Sequence, residues 1–334
     1  MFPSDEDFFK SVLVTGGAGY IGSHTIHELL KQGYHPVVVD NLSNGFKESV
    51  PDNVEFYQLD VRNKAEMKSV FMKHNFSAVV HLAGLAIVEE SFAKAEDYFA
   101  HNVSGTLTVL ELCREQGVKR FIFSSSSTIY GDASGTEKLS EAHPVSPMSP
   151  YGKSKMFCEE KIKEFAAEIE LSFMNFRYFN VAGASTDLTN GSRGKGSQRI
   201  IFNAAKAAVH GGSFVINGNE YPTADGTCVR DYIHVEDIAD IHVLALKHLQ
   251  TNKCQKTLNC GYGTGFSVQN IVDSFKKNNN VDFKIEMGPR RSGDPAYLVG
   301  DCRELTQLLK WKSRFENPLE AICRSAYLWE KKST

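Results

Sequence analysis

The stretch SVLVTGGAGYIGSH, residues 11–24, decides how this 334-residue chain folds. Ser11 to Val14 is a short apolar run ending at Gly16-Gly17, which reads as a buried strand passing into a glycine turn. Ile21 to Gln32 then reads as a helix, and Gly33 as its stop. The turn carries Gly16, Gly19 and Gly22 in a G-x-x-G-x-x-G spacing. Glycines there let the backbone turn tightly, and they let a diphosphate approach the amide-rich start of the helix.

Outward from this turn, strand and helix alternate. Residues 36–40, 54–59, 78–82 and 121–123 read as further strands, and 65–74 and 103–116 as amphipathic helices between them. Such alternation predicts βαβ units and an α/β fold, a doubly wound parallel Rossmann-like sheet. It holds to about residue 180. Beyond that, NGSRGKGS (190–197) and NGNEYPTADGT (217–227) suggest a smaller, loop-rich C-terminal lobe that binds substrate over the open edge of the sheet. The expected division is 1–180 for the dinucleotide-binding domain and 181–334 mainly for the second, with segments around 232–260 returning to the first.

Composition narrows the class. A formal charge of -3 gives no footprint for nucleic acid, and no apolar run reaches the ~18 residues of a membrane span. The acidic start MFPSDEDFFK is unlike a secretory leader, and KKST is no retention or prenylation signal. Seven dispersed cysteines without a C-x-x-C pair fit free thiols in a reducing compartment, so the expected address is cytoplasmic. No metal site is expected: His234 and Asp237 lack further ligands at useful spacing. Ser126 with His143 lacks a nucleophile elbow, and Arg62 to Lys68 reads as a solvated helix face.

The second strand ends in Asp40, 24 residues beyond Gly16. A carboxylate there accepts both hydroxyls of an adenosine ribose and repels a 2′-phosphate. No lysine or arginine stands at 40–46, which favours NAD over NADP. Asp60 and Val61 follow the third strand, where an adenine amino group can be met; the competing reading makes Asp60 a helix N-cap.

The fifth strand runs into SSSSTIYG (124–131), and SPYGKSK (149–155) follows about 25 residues later. Serines at a strand end usually cap or turn, but in a parallel sheet that end borders the ligand crevice. Tyr151 and Lys155 share a helical face at i,i+4 spacing. A lysine charge beside the phenol favours phenolate, as a positive nicotinamide would.

Together, TGGAGYIG (15–22), SSSSTIYG and YGKSK resemble the extended short-chain dehydrogenase/reductase superfamily. The stretch GNEYPTADGTCVRDYIHVEDIADIHVLAL (218–246) closely resembles its UDP-glucose 4-epimerase family, and the likeness spans all but the first ~10 residues. The resemblance implies NAD as cofactor, a nucleotide sugar as substrate and a homodimer through helices near 95–116 and 151–168. It implies interconversion of UDP-galactose and UDP-glucose through a 4-keto intermediate that turns over before hydride returns. Tyr151 is implied as the base, Lys155 as the holder of the nicotinamide ribose, and Ser126 as the partner of the 4-oxygen. Gly16, Gly19, Tyr20, Ile21 and Gly22 would line the pyrophosphate, Asp40 and Asn41 the adenosine ribose, and Asp60 and Val61 the adenine. Asn180, Arg230, Arg291 and Asp294 would hold the uridine diphosphate. Leu298, or Tyr297 with a one-residue shift, would gate the C2 side of the sugar and so N-acetylhexosamines.

Dehydratases of this kind need an acid pair where Ser127 and Thr128 stand. Ala86, His101, Val181 and Arg199 depart from the usual lysine, asparagine, proline and asparagine. Two other readings are a 4-epimerase of a nucleotide pentose or uronate, and a non-catalytic NAD-binding regulatory protein, which would have lost Tyr151 or Lys155.

Overall fold

The computed structural model describes residues 10–132, 135, 137–194, 200–290 and 294–333. The apolar runs of the N-terminal half form strands β1 (Ser11–Thr15), β2 (His35–Val39), β3 (Glu55–Tyr57), β4 (Ala78–His81), β5 (Arg120–Ser126) and β6 (Ser172–Tyr178). With Gln255–Cys260 they make a seven-stranded sheet in the order Gln255–Cys260, β6, β5, β4, β1, β2, β3. Val14 sits opposite Val38 on one side and Val80 on the other, and Val80 opposite Ile122, each pair parallel. A parallel sheet of this kind carries helices on both faces, which is why β4 and β6 are buried along their whole length.

One core packs Leu13, Val39, Val79 and Phe121 of these strands against Met67, Leu110 and Ile162 of the helices Lys64–Lys73, Gly105–Gln116 and Pro150–Ile169. Each such side chain contributes ~1.5–3 kcal/mol on burial. The strand order reverses between β1 and β4, and in open α/β sheets that reversal opens a crevice at the carboxyl ends of the strands.

The chain divides into two units: Met1–Gly131, Pro144–Arg177 and Ala239–Leu258 form one, and Asp132–His143, Tyr178–Ile238 and Asn259–Thr334 the other. In the second unit Val229–His234 is flanked by antiparallel Gly265–Ser267 and by parallel Tyr297–Leu298 and Asn180–Ala182. Ser213–Asn217 pairs in parallel with Lys284–Gly288. Helices Ile200–His210, Val268–Asn279 and Pro318–Lys332 share a core built on Ala204, Phe275 and Ile322. The second unit therefore carries more regular structure than a loop-rich composition suggests. Among the described residues, no helix is long and apolar enough to cross a membrane.

Candidate active site

The glycine turn lies at the reversal point. Gly16 has φ +71°, a left-handed conformation, and a Cβ there would stand 2.6 Å from the Ala83 amide nitrogen on the loop after β4. The helix Tyr20–Lys31 begins at Gly19 without a side-chain cap, so its first amides face the turn. A cavity opens here, and Gly16, Gly19, Asp40, Asn41, Asp60 and Val61 line it together with Leu82–Leu85 and His101. Tyr20, Ile21 and Gly22 stand in the first helical turn, outside that lining.

Asp40 is buried, with one carboxylate oxygen accepting the Ala18 amide at 3.0 Å and the other the Leu42 amide at 2.8 Å. Burial raises its pKa against those amides. Asn41 accepts the Ser43 amide at 3.0 Å. Asp60 is held by Arg62, whose Nη2 and Nε donate at 2.7 and 2.9 Å and keep the carboxyl at a pKa of about 2. It is not the helix cap: Asn63 caps Lys64–Lys73 by accepting the Glu66 amide. A tight glycine turn, a ribose-side carboxylate and an apolar rim fit a dinucleotide. No lysine or arginine lines the cavity among the described residues, which fits one without a 2′-phosphate.

Ser149 and Pro150 start the helix Pro150–Ile169 as sequence chemistry requires: the Ser149 hydroxyl accepts the Gly152 amide at 3.1 Å, and proline occupies the first turn. Tyr151 and Lys155 are both buried on this helix. Gly152 allows the close approach: a Cβ there would come within 3.0 Å of the Thr128 carbonyl oxygen. Lys155 Nζ donates to the Ser124 carbonyl at 2.7 Å and lies 4.7 Å from the Phe123 ring centroid and 6.0 Å from that of Tyr151. Burial pushes its pKa down to about 8, and Cys158 and Glu159 pull the other way. Ser126 ends β5 and caps the short 3₁₀ turn Ser127–Tyr130, accepting from the Thr128 amide at 3.2 Å and its hydroxyl at 3.0 Å.

Asn102 escaped the sequence reading. It sits in a π-helical turn, Ala100–Ser104, and accepts the Leu85 amide at 2.8 Å. Its amide nitrogen donates to the Leu85 carbonyl and, at 2.9 Å, to the Ser154 hydroxyl, which donates to the Tyr151 carbonyl. Behind it, Thr15, buried His81 and Thr106 continue the polar chain to the Asn102 carbonyl. A π turn inside a helical segment was the structural signal, and the sequence gives no trace of it.

In the second unit, Arg230 Nη2 donates to Asp294 at 2.6 Å, and the Tyr221 hydroxyl donates to the other Asp294 oxygen at 3.2 Å. A surface pair of Arg230 with Asp231 does not form. Asp231 is buried and accepts the amides of Tyr262, Gly263 and Gly300, while burial lifts its pKa to about 7. Leu298 lies opposite Arg230 and Tyr297 opposite Val229, so Leu298 and Arg230 share a face. Asn180 is exposed at the start of its strand. Arg291 and Arg199 lie outside the described residues. His234 bonds to the Glu236 amide and Ser325, and Asp237 to Tyr262, Ser313 and Arg314. No metal-holding cluster occurs among the described residues.

Residues 12–261 match the NAD dependent epimerase/dehydratase family. The chain is 39% identical over 322 residues to UDP-glucose 4-epimerase of Lactobacillus helveticus, covering 96% of this chain and 97% of that one. The chain belongs to the NAD dependent epimerase/dehydratase family. Among solved structures, a UDP-glucose 4-epimerase superposes with TM-score 0.93 at 37% identity, covering 96% of this chain and 98% of the other. The UDP-glucose 4-epimerase of Bifidobacterium longum, in complex with NAD+ and UDP, superposes with TM-score 0.89 at 35% identity and the same coverages.

Proposed function

We propose that this chain interconverts UDP-galactose and UDP-glucose by reversible oxidation at C4 of the sugar. One observation carries the reading: Tyr151 and buried Lys155 stand one turn apart against the serine strand, in the unit that also holds the cavity lined by Gly16, Asp40 and Asp60. Tyr151 takes the proton of the 4-hydroxyl as hydride leaves C4, and the Ser126 hydroxyl donates to the 4-oxygen. NAD, when bound, accepts that hydride and gives it back. Between the two transfers the 4-keto sugar turns its other face. Protonation by Tyr151 completes the cycle, so protons and electrons balance.

Lys155 holds the nicotinamide ribose, and its charge beside the Tyr151 ring favours the phenolate. Gly16, Gly19, Tyr20, Ile21 and Gly22 support the pyrophosphate, Asp40 and Asn41 the ribose hydroxyls, and Asp60 and Val61 the adenine. In the second unit Asn180, Arg230, Arg291 and Asp294 hold the uridine diphosphate, for which arginine's fixed charge and forked donors are suited. Leu298, sharing a face with Arg230, is the gate at C2, and a leucine there leaves room for an N-acetyl group. The reading includes a homodimer and a cytoplasmic location.

The test is conversion of UDP-galactose by purified protein without added NAD, beside Tyr151→Phe. Turnover that collapses in the variant supports the reading. Absence of turnover even with NAD supplied points to another nucleotide sugar or to a non-catalytic NAD-binding protein.

A further inference from the structure

Glu159 continues the series Tyr151, Lys155, Glu159 along one face of the helix, yet the mechanism leaves it unused. One of its carboxylate oxygens accepts the Ser125 hydroxyl at 2.5 Å and Arg177 Nε at 3.1 Å, and the other accepts Arg177 Nη2 at 2.8 Å. Arg177, on β6, donates through Nη1 to the Tyr130 hydroxyl at 2.9 Å, with its guanidinium 5.0 Å from that ring's centroid. The two charged side chains are only 7% and 4% exposed. Burying two ions carries a desolvation penalty that a packed apolar pair would avoid, so bulk stability alone gives little reason for this pair.

Its geometry supplies another reason. Ser125 and Tyr130 bracket Ser126 and the 3₁₀ turn that Ser126 caps. Lys155 and Glu159, one turn apart, grip neighbouring residues of β5: Lys155 the Ser124 carbonyl, Glu159 the Ser125 hydroxyl. We propose that Glu159 and Arg177 are positioning residues, fixing the register of the helix bearing Tyr151 and Lys155 against the strand end bearing Ser126. The inference rests on the epimerase reading above. Neither residue touches the reacting atoms; they act through the groups that do.

The carboxylate also faces Lys155 electrostatically. The titratable groups around that ammonium are Tyr151, Cys158 and Glu159 on its own helix and the fully buried, neutral His81 on β4. Glu159 favours the charged lysine, so its removal lets burial lower the lysine pKa further.

Three variants test the pair in the NAD-loaded protein: Glu159→Gln, the double variant Glu159→Met with Arg177→Met, and Ser125→Ala. The double variant replaces both ions by apolar chains, which retains fold where a lone buried charge does not. For the double variant and Ser125→Ala the expected result is a melting temperature and NAD content close to wild type, with kcat lowered by up to about 10²-fold and a KM for UDP-galactose that moves little. Glu159→Gln, which leaves the buried Arg177 charge uncompensated, melts lower and is read through its pH profile. Glu159→Gln shifts the alkaline limb of the pH profile to lower pH, which loss of packing alone would not do. A double variant with wild-type kcat, or a Glu159→Gln limb that does not move, overturns the proposal. Should the double variant fail to melt cooperatively, Ser125→Ala decides by the same kcat criterion, since it deletes one hydroxyl. Wild-type protein inactive on UDP-galactose in the same assay instead overturns the epimerase reading.

Discussion

Lys155 Nζ donates to the Ser124 carbonyl oxygen at 2.7 Å, inside a buried shell closed by the Phe123 ring. This bond aims the ammonium while burial brings its pKa down to about 8. The lysine is charged below that value and neutral above it. The epimerase reaction should therefore slow as pH rises through about 8, because the group stabilising the phenolate is lost. Lys155→Met should lower kcat by about 10²–10⁴-fold across the range and abolish that limb. A pH series of initial rates on both proteins checks this.

Gly16→Ala should yield protein with less bound dinucleotide. The position has φ +71°, and the added carbon would meet the Ala83 amide nitrogen at 2.6 Å. A left-handed alanine costs ~1–2 kcal/mol, and the overlap a further ~1–3 kcal/mol unless the loop after β4 moves. That loop lines the cofactor cavity, so either outcome disturbs binding. NAD released by acid, measured beside a thermal melt, separates lost binding from lost fold.

The parts of the site made by local chemistry were legible in the sequence. Gly16, Asp40, Ser126 and the Tyr151–Lys155 spacing each sit at a strand end or on one helical face, where short-range pattern places them. The end of the first helix was legible for the same reason, at Gly33, which follows the helix Tyr20–Lys31 with φ +77°. What was not legible depends on distant partners. Asn102 reaches Leu85 and Ser154, 17 and 52 residues away, and no local pattern marks it. Strand β6 is buried throughout and so lacks the alternation that identifies half-buried strands. Helix Ile200–His210 follows a glycine-rich stretch that draws the eye to loops, and Glu159 shows as a helical-face residue without its partner on β6. Strand pairing, which no local pattern gives, puts Leu298 opposite Arg230 and Tyr297 opposite Val229.

Acid should destabilise this protein partly through His81. The imidazole is fully buried, its nitrogens 2.7 Å from the Thr15 hydroxyl and 3.1 Å from that of Thr106. Burial, helped by the Lys155 charge, pushes its pKa down to about 3. Unfolded, the same group titrates at about 6.5. The folded value is the lower one, so the stabilisation is full above about pH 6.5 and is lost progressively as pH falls towards 3. The loss proceeds at up to ~1.4 kcal/mol per pH unit. Urea unfolding of wild type and His81→Gln from pH 8 to 5 should show a shallower decline in the variant. Parallel slopes would exclude His81 as the titrating group.

Leu298→Tyr should narrow the sugar range without stopping the reaction. Leu298 pairs with Arg230, whose guanidinium is tied to Asp294, so a larger ring at 298 projects on the face of the proposed uridine diphosphate residues. Tyr297, paired with Val229, lies on the opposite face, beside Gly265, and substitution there should leave the sugar range alone. The variant should keep turnover of UDP-galactose within a few-fold and lose that of UDP-N-acetylgalactosamine by about 10–200-fold, the scale on which a pocket rejects small added bulk. The ratio of kcat/KM for the two sugars, compared across wild type, Leu298→Tyr and Tyr297→Phe, is the deciding measurement. A ratio that moves only with Tyr297→Phe would transfer the gate to Tyr297, and one that moves with neither would place it elsewhere in the second unit.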